Sequence, residues 1–128
     1  MKSIRNSVLL FILFALAVAG CKKETKETVT CSLLANPDTI TVGMTVVYTA
    51  TATGDGTMSA LSYATSSGMV TVNNPTLPWT LTILVPSNTK ITMTATGTVT
   101  NGSLDIDYKG TGEGHTTHAS DNCAHYSE

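Results

Sequence analysis

The feature that most constrains the fold of this chain is an alternation of apolar and polar residues with a period of two, which extends from Val29 to Lys109. It is clearest over residues 45–53, where Val46, Tyr48 and Ala50 are separated by single threonine or valine residues. Because successive side chains of a β-strand point to opposite faces, this pattern predicts strands with one face in a core and the other in water. No window of this region has the 3.6-residue period of a helix, so we predict an all-β domain.

Further alternating runs, separated by turn signals, predict the architecture. Threonine fills most of the polar positions, and its β-branched side chain favours strands. Asn101-Gly102, between two of the runs, is typical of a β-hairpin. Seven or eight short antiparallel strands in about 100 residues predict an immunoglobulin-like β-sandwich, whose large core residues are Tyr48, Tyr63, Trp79 and Tyr108. The predicted strands are 31–34, 39–42, 45–53, 61–64, 69–72, 80–85, 91–96 and 104–109.

The first 20 residues have the layout of an export signal, with a basic start and an apolar stretch from Val8 to Val18. The run that follows, Val18-Ala19-Gly20-Cys21, resembles the lipobox of bacterial lipoproteins, and the resemblance implies cleavage before Cys21 and a covalent lipid on its thiol. The alternative is an uncleaved membrane anchor, which the shortness of the stretch disfavours. We therefore expect a cell-envelope protein that is bound to a membrane by its lipid, with the outer membrane favoured. The predicted segments are a signal peptide at 1–20, a lipidated charged tether at 21–28, a β-sandwich at 29–112 and a C-terminal tail at 113–128 that packs on or near it.

The charge balance limits the class of partner that we expect, and the cysteine content limits the disulfides that the chain can form. Without residues 1–20 the chain has five basic and nine acidic residues, a net charge of −4. This balance provides no basic face, so we expect no nucleic-acid partner. With Cys21 lipidated, Cys31 and Cys123 remain near the two ends of the domain, in a compartment where disulfides persist. Two alternatives stay open, a Cys31–Cys123 disulfide or two unpaired thiols in flexible ends.

The C-terminal segment carries the one cluster of reactive side chains. Imidazole groups bind Zn²⁺ or copper, which makes His115, His118 and His125 candidate metal ligands beside Cys123. Their spacing matches no known zinc pattern, and the alternative is a solvated tail held back by Cys123. No nucleophile is accompanied by a base on a rigid element, so we predict no enzyme activity and no cofactor other than the lipid on Cys21.

A wider resemblance extends from Tyr48 to Cys123. The run Tyr48–Gly54 is followed by Leu61-Ser62-Tyr63 and then by Leu77-Pro78-Trp79, which opens an alternating strand. This order is similar to that of the small mycobacterial membrane protein family (MmpS-type transport accessory proteins), in which a late cysteine corresponds to Cys123. That family usually has another cysteine where this chain has residues 103–107, and its mycobacterial members have a transmembrane helix in place of a lipid. The resemblance implies an accessory role beside an exporter of the resistance-nodulation-division (RND) type.

The segment Leu77-Pro78-Trp79 has two interpretations. Trp79 fills one end of the sandwich, or Pro78 and Trp79 form an interface anchor, since tryptophan is enriched among interface hot spots. Three functions remain open at this point. They are a lipid-anchored binding or accessory module for an envelope transporter or another protein, a structural or adhesive surface lipoprotein with threonine-rich faces, and a metal-binding envelope protein that uses the C-terminal histidines.

Overall fold

The computed structural model describes residues 26–128, which form eight antiparallel strands in two four-stranded sheets. The strands are β1 (Val29–Thr39), β2 (Met44–Gly54), β3 (Thr57–Thr65), β4 (Gly68–Asn73), β5 (Trp79–Val85), β6 (Lys90–Val99), β7 (Gly102–Gly112) and β8 (His115–His125). One sheet has the strand order β1-β6-β3-β4 and the other β5-β2-β7-β8, so the predicted all-β sandwich is confirmed. Residues 26–128 contain no helix of the length and hydropathy that a membrane span requires. The predicted signal peptide and Cys21 lie outside the described residues.

Two connections are hairpins, and the other five between these strands cross from one sheet to the other. Ser66-Ser67 joins β3 to β4, and Glu113-Gly114 joins β7 to β8. Glu113 and Gly114 have φ angles of 47° and 76°, as a two-residue type I′ turn requires. The crossing connections place consecutive strands on opposite sides of the core, which therefore lies between the two sheets.

The alternating residues form this core as predicted. Val46, Tyr48 and Ala50 of β2 are completely buried, and they lie in the same core cluster as Met93 of β6. Their burial removes apolar surface from water, which is the main favourable term in folding. The Tyr48 hydroxyl donates a hydrogen bond of 2.8 Å to the carbonyl of Ala64 in the opposite sheet, so the polar end of this buried ring is satisfied.

The predicted hairpin at Asn101-Gly102 is wrong, because β6 and β7 belong to different sheets. Gly102 is needed for close approach of two backbones: a Cβ there would lie 2.1 Å from the carbonyl oxygen of Thr53. The Asp55 carboxylate accepts hydrogen bonds from the N–H groups of Thr100 and Asn101, at 3.0 and 2.8 Å. The β6–β7 connection is therefore held in place by Asp55 of the neighbouring β2–β3 connection.

The predicted strand at 39–42 is also wrong. Thr39 is the last residue of β1, which is longer than predicted and has a register shift between Ala35 and Asp38. The Ile40 side chain is nevertheless buried, and its N–H donates a 3.0 Å hydrogen bond to the carbonyl of Thr89. A buried loop residue at the end of the core gives the same apolar pattern in the sequence as a strand residue.

The segment predicted to be a tail is the last strand of the sandwich. β8 pairs with β7 along its whole length, from His115 opposite Gly112 to His125 opposite Gly102. The predicted boundary at residue 112 is therefore wrong, and so is the solvated-tail interpretation. Ala119 and Cys123 are the apolar residues of β8 that pack on the core, which is too few for a period-two pattern to reveal a strand.

Candidate functional site: the open side of the sandwich

One lateral side of the sandwich is closed by cross-links between its two edge strands, β1 and β8. Cys31 and Cys123 form a disulfide with their Cα atoms 5.9 Å apart, so the predicted bridge is present and the unpaired-thiol alternative is wrong. The Asp121 carboxylate accepts a 2.9 Å hydrogen bond from the backbone N–H of Leu34, which occupies a donor on the free edge of β1. We call β1 and β8 with these links the closed side. In antibody domains the conserved bridge joins two other strands, across the middle of the sandwich.

Two further bonds strengthen the closed side. The Thr117 hydroxyl of β8 donates a 2.6 Å hydrogen bond to the carboxylate of Asp38. The Tyr108 hydroxyl donates to the carbonyl of Asn36, and burial raises the pKa of Tyr108, with the charge of Asp38 adding to the shift. Besides the disulfide, β1 is thus hydrogen-bonded through side chains to both β8 and β7.

The opposite lateral side, between the edge strands β4 and β5, has a different character. Among the described residues, no disulfide and no side-chain hydrogen bond joins β4 to β5. The side chains between these strands pack on the core but stay half-buried. We call β4 and β5 with these side chains the open side; its half-buried members are Tyr63, Val72, Leu77, Trp79 and Ile83.

Large apolar side chains project into solvent on the same two strands. Leu84 of β5 is 80% exposed, and Met69 and Val70 of β4 are 51% and 39% exposed. Val70 lies on the inward-facing side of β4, whereas Met69 and Leu84 project from the outer faces of the two different sheets. The open side therefore combines an incompletely covered interior with apolar residues on its rim.

A row of aromatic rings leads from the closed side to the open side. Tyr108 packs against Tyr48 with ring centroids 6.2 Å apart, Tyr48 against Tyr63 at 5.3 Å, and Tyr63 against Trp79 at 5.5 Å. Burial raises the pKa of Tyr48 to about 12, with Tyr108 and Tyr63 adding smaller effects. Tyr48 and Tyr108 are thus the buried members predicted from the sequence, while Tyr63 and Trp79 are only half-buried.

Trp79 and Pro78 lie at the beginning of β5. Trp79 is the first residue of the strand, where it is opposite Ala50 of β2, and Pro78 is exposed just before it. The structure places Trp79 partly in the core and partly on the rim of the open side, so it has features of both interpretations made from the sequence. A half-buried indole of this kind is suited to anchor a partner, because a contact would complete its burial.

Charge is absent from this part of the chain. The 34 residues from Gly56 to Thr89, which include all of β3, β4 and β5, contain no Asp, Glu, Lys, Arg or His. This run was visible in the sequence, but its meaning depends on the topology, which brings β4 and β5 to the same side. Asp107 and His118 illustrate the contrast, since they form an exposed hydrogen-bonded pair on β7 and β8, at the other end of the second sheet.

The two sides also differ in how their strand edges are protected. Proteins commonly cover or charge an edge strand, since its unpaired N–H and C=O groups can pair with another chain. On the closed side, β1 has a bulge near Pro37 and the bond to Asp121, and β8 carries charged and imidazole side chains. Neither β4 nor β5 contains a proline or a charged residue. Chemically, the open side offers backbone hydrogen-bonding groups beside apolar surface.

The three candidate metal ligands are spread along β8. His115 and His125 are ten residues apart, roughly 33 Å along a strand, and His118 projects from the opposite face of the sheet. Among residues 26–128, no group of three His, Cys, Asp or Glu side chains is arranged to hold a metal ion. The predicted metal site is therefore wrong, because residues that cluster in sequence are separated when the segment is extended. Cys123 is also occupied by the disulfide.

Comparison of the chain with known protein families, with curated proteins and with solved structures finds no match in any of the three.

Proposed function

We propose that this protein is a lipid-anchored binding module of the cell envelope, which holds another envelope protein against its open side. The observation that carries the proposal is the joint occurrence, on β4 and β5, of unprotected strand edges, exposed apolar side chains and a complete lack of charge. Such a surface is costly to leave in water and gains free energy when a partner covers it.

The point at which the chain enters the domain is compatible with a lipid anchor and a free binding surface. Val29 at the start of β1 is opposite Val99, and a short connection leads from there to Gly102, which is opposite His125. The tether therefore enters at one end of the sandwich and leaves both lateral sides accessible. A lipid on Cys21 would confine the domain to the membrane surface and raise its effective concentration near a membrane-bound partner.

The class of partner is inferred from the resemblance of the sequence to the transport accessory proteins. We propose a large envelope protein, with an exporter of the RND type as the first candidate, and outer-membrane location of the anchor. A structural or adhesive lipoprotein is the second candidate function, favoured by the hydroxyl-rich outer face of the first sheet. There Thr57 bonds to Thr98 at 3.0 Å and Ser62 to Thr71 at 2.8 Å.

The anchor is tested by Cys21→Ser in the full chain. We expect the variant to leave the membrane fraction or to remain unprocessed. Unchanged membrane association together with normal processing would contradict the lipid anchor.

The binding surface is tested by a matched pair of substitutions. Leu84→Lys places a charge on the open side, and Leu34→Lys places one on β1 at a residue that is 48% exposed. In affinity co-purification from detergent-solubilised membranes, we expect Leu84→Lys to lower the yield of the envelope partner by at least about tenfold, a typical hot-spot effect. Leu34→Lys should leave the yield unchanged. Equal yields from the two variants would exclude the open side as the binding surface.

A further inference from the structure

We propose that β5 is a docking strand, to which a partner adds an extended, uncharged segment as a fifth strand of the second sheet. The proposal rests on the proposed function and specifies the kind of segment that the open side binds. The partner segment would have apolar residues at alternate positions, facing the interior of the open side, and no charged residue opposite β5.

The backbone of β5 supports this mode of binding. β5 pairs with β2 on one side, from Trp79 opposite Ala50 to Val85 opposite Met44, and it is the last strand of its sheet on the other. Alternate N–H and C=O groups of an edge strand point away from the sheet, where an added strand can pair with them. The strand is seven residues long, and Pro78 and Pro86 flank it without interrupting it.

The inward-facing side chains of β5 have an incomplete cover. Leu81 and Ile83 alternate inward along β5 but remain half-buried. On β1, the edge strand of the closed side, the inward-facing Cys31, Leu33 and Ala35 are only 1%, 3% and 0% exposed. The difference arises because β8 covers β1, whereas β4 does not cover β5 to the same extent. An added strand beside β5 would provide the missing contacts.

The absence of charge selects the occupant. A charged side chain placed on this edge would lose its hydration without meeting an opposite charge, since none occurs between Gly56 and Thr89. An uncharged segment with β-branched or other apolar residues at every second position incurs no such cost. Its main-chain hydrogen bonds would give affinity, and the alternate side chains would give specificity.

A second copy of the chain is a poorer occupant than a different protein. Two β5 strands related by a two-fold axis normal to the sheet would pair in antiparallel orientation, which places the two Val29 residues at opposite ends of the joined sheet. The eight peptide steps from Cys21 to Val29 reach about 29 Å at most, which is less than the roughly 35 Å length of an eleven-residue strand. Two copies anchored in one membrane could therefore pair in this way only if both lay flat.

The test is photo-crosslinking in intact cells, with a benzophenone amino acid placed in turn at Met69 and Thr71 of β4 and at Thr80, Thr82 and Leu84 of β5 in the full chain. The three β5 residues alternate outward along the strand and are exposed. The matched controls are Thr30, Ser32 and Leu34, which hold the equivalent outward positions on the protected edge strand β1. Mass spectrometry of the adducts identifies the attached residue in the partner.

We expect adducts from all three β5 positions and at least about tenfold less from the β1 positions. The attached site should move along an uncharged partner segment by about two residues for each two-residue step on β5, because paired strands share the same rise per residue. Adducts to a second copy of this chain, adducts without a common register, or equal yields from β1 would each overturn the proposal. Adducts obtained only from Met69 and Thr71 of β4 would overturn strand addition at β5 while leaving the proposed binding function intact. A lack of adducts from both strands would overturn the two proposals together.

Discussion

Reduction of the Cys31–Cys123 disulfide should destabilise the domain strongly, because the bridge closes almost the whole sandwich into one loop. The two cysteines are 92 residues apart in sequence. In the chain-entropy model a loop of this length contributes about 4–5 kcal/mol to the free energy of unfolding, through the conformational freedom that the unfolded chain loses. For a domain of about 100 residues this corresponds to a melting temperature lowered by roughly 20 °C. Thermal unfolding of a soluble fragment of residues 22–128, followed by circular dichroism with and without reducing agent, measures the difference.

The double variant Cys31→Ala/Cys123→Ala is the control. It should melt near the temperature of the reduced fragment and should not respond to reducing agent. A fragment whose melting temperature changes by less than about 5 °C on full reduction would refute the argument, because the hydrogen bonds of the closed side would then be sufficient to hold β1 against β8.

Three other substitutions test the core and the crossing connections. Burial raises the pKa of Tyr48 to about 12 from 10.0, so the stability that the protonated hydroxyl provides should be complete below pH 10. It should be lost as the pH rises to 12, by roughly 3 kcal/mol. Tyr48→Phe should make this decline shallower in denaturant titrations at successive pH values. The N–H groups of Asn101 and Thr100 lower the pKa of Asp55, so the stability that these hydrogen bonds provide should be present above about pH 4 and lost as the pH falls through the lowered pKa. Asp55→Ala should remove this part of the acid dependence of the free energy of unfolding. An unchanged pH profile would contradict the assignment. Gly97→Ala would place a Cβ 2.2 Å from the carbonyl oxygen of Thr57, so it should lower the free energy of unfolding by about 3 kcal/mol or more, or prevent folding. The control Thr96→Ala, at the neighbouring residue on the exposed face, should lower it by less than about 1 kcal/mol in the same denaturant titration.

Most of the fold could be predicted from the sequence, because strands with one buried face alternate visibly. β2 shows this best: Val46, Tyr48 and Ala50 were assigned to one face and are completely buried. β8 could not be found in this way, since most of its inward-facing positions are polar and it is held by pairing with β7 and by the disulfide. The connections were equally hidden. Asn101-Gly102 has the composition of a hairpin turn, but the glycine is required by the nearby carbonyl of Thr53.

The candidate site was predictable only in part. Trp79 and Pro78 were recognised as candidates from residue type, and they do lie on the rim of the open side. Leu84, Met69 and Val70 were missed, because a period-two pattern does not indicate which strands become edges. The immunoglobulin-like character of the sandwich, the lipid on Cys21 and the RND-type partner stay predictions.

We conclude that the sandwich is linked along β1 and β8 and unprotected along β4 and β5. Residue-resolved amide hydrogen exchange of the soluble fragment tests it most directly, because exchange reports which backbone N–H groups lack a partner. We expect slow exchange in β2, β6 and β7, protection of the Leu34 amide by Asp121, measurable protection throughout the paired amides of β8, and fast exchange at alternate residues of β4 and β5. Uniform protection across β4 and β5, or a C-terminal segment from His115 to His125 that exchanges as fast as an unfolded chain, would contradict it.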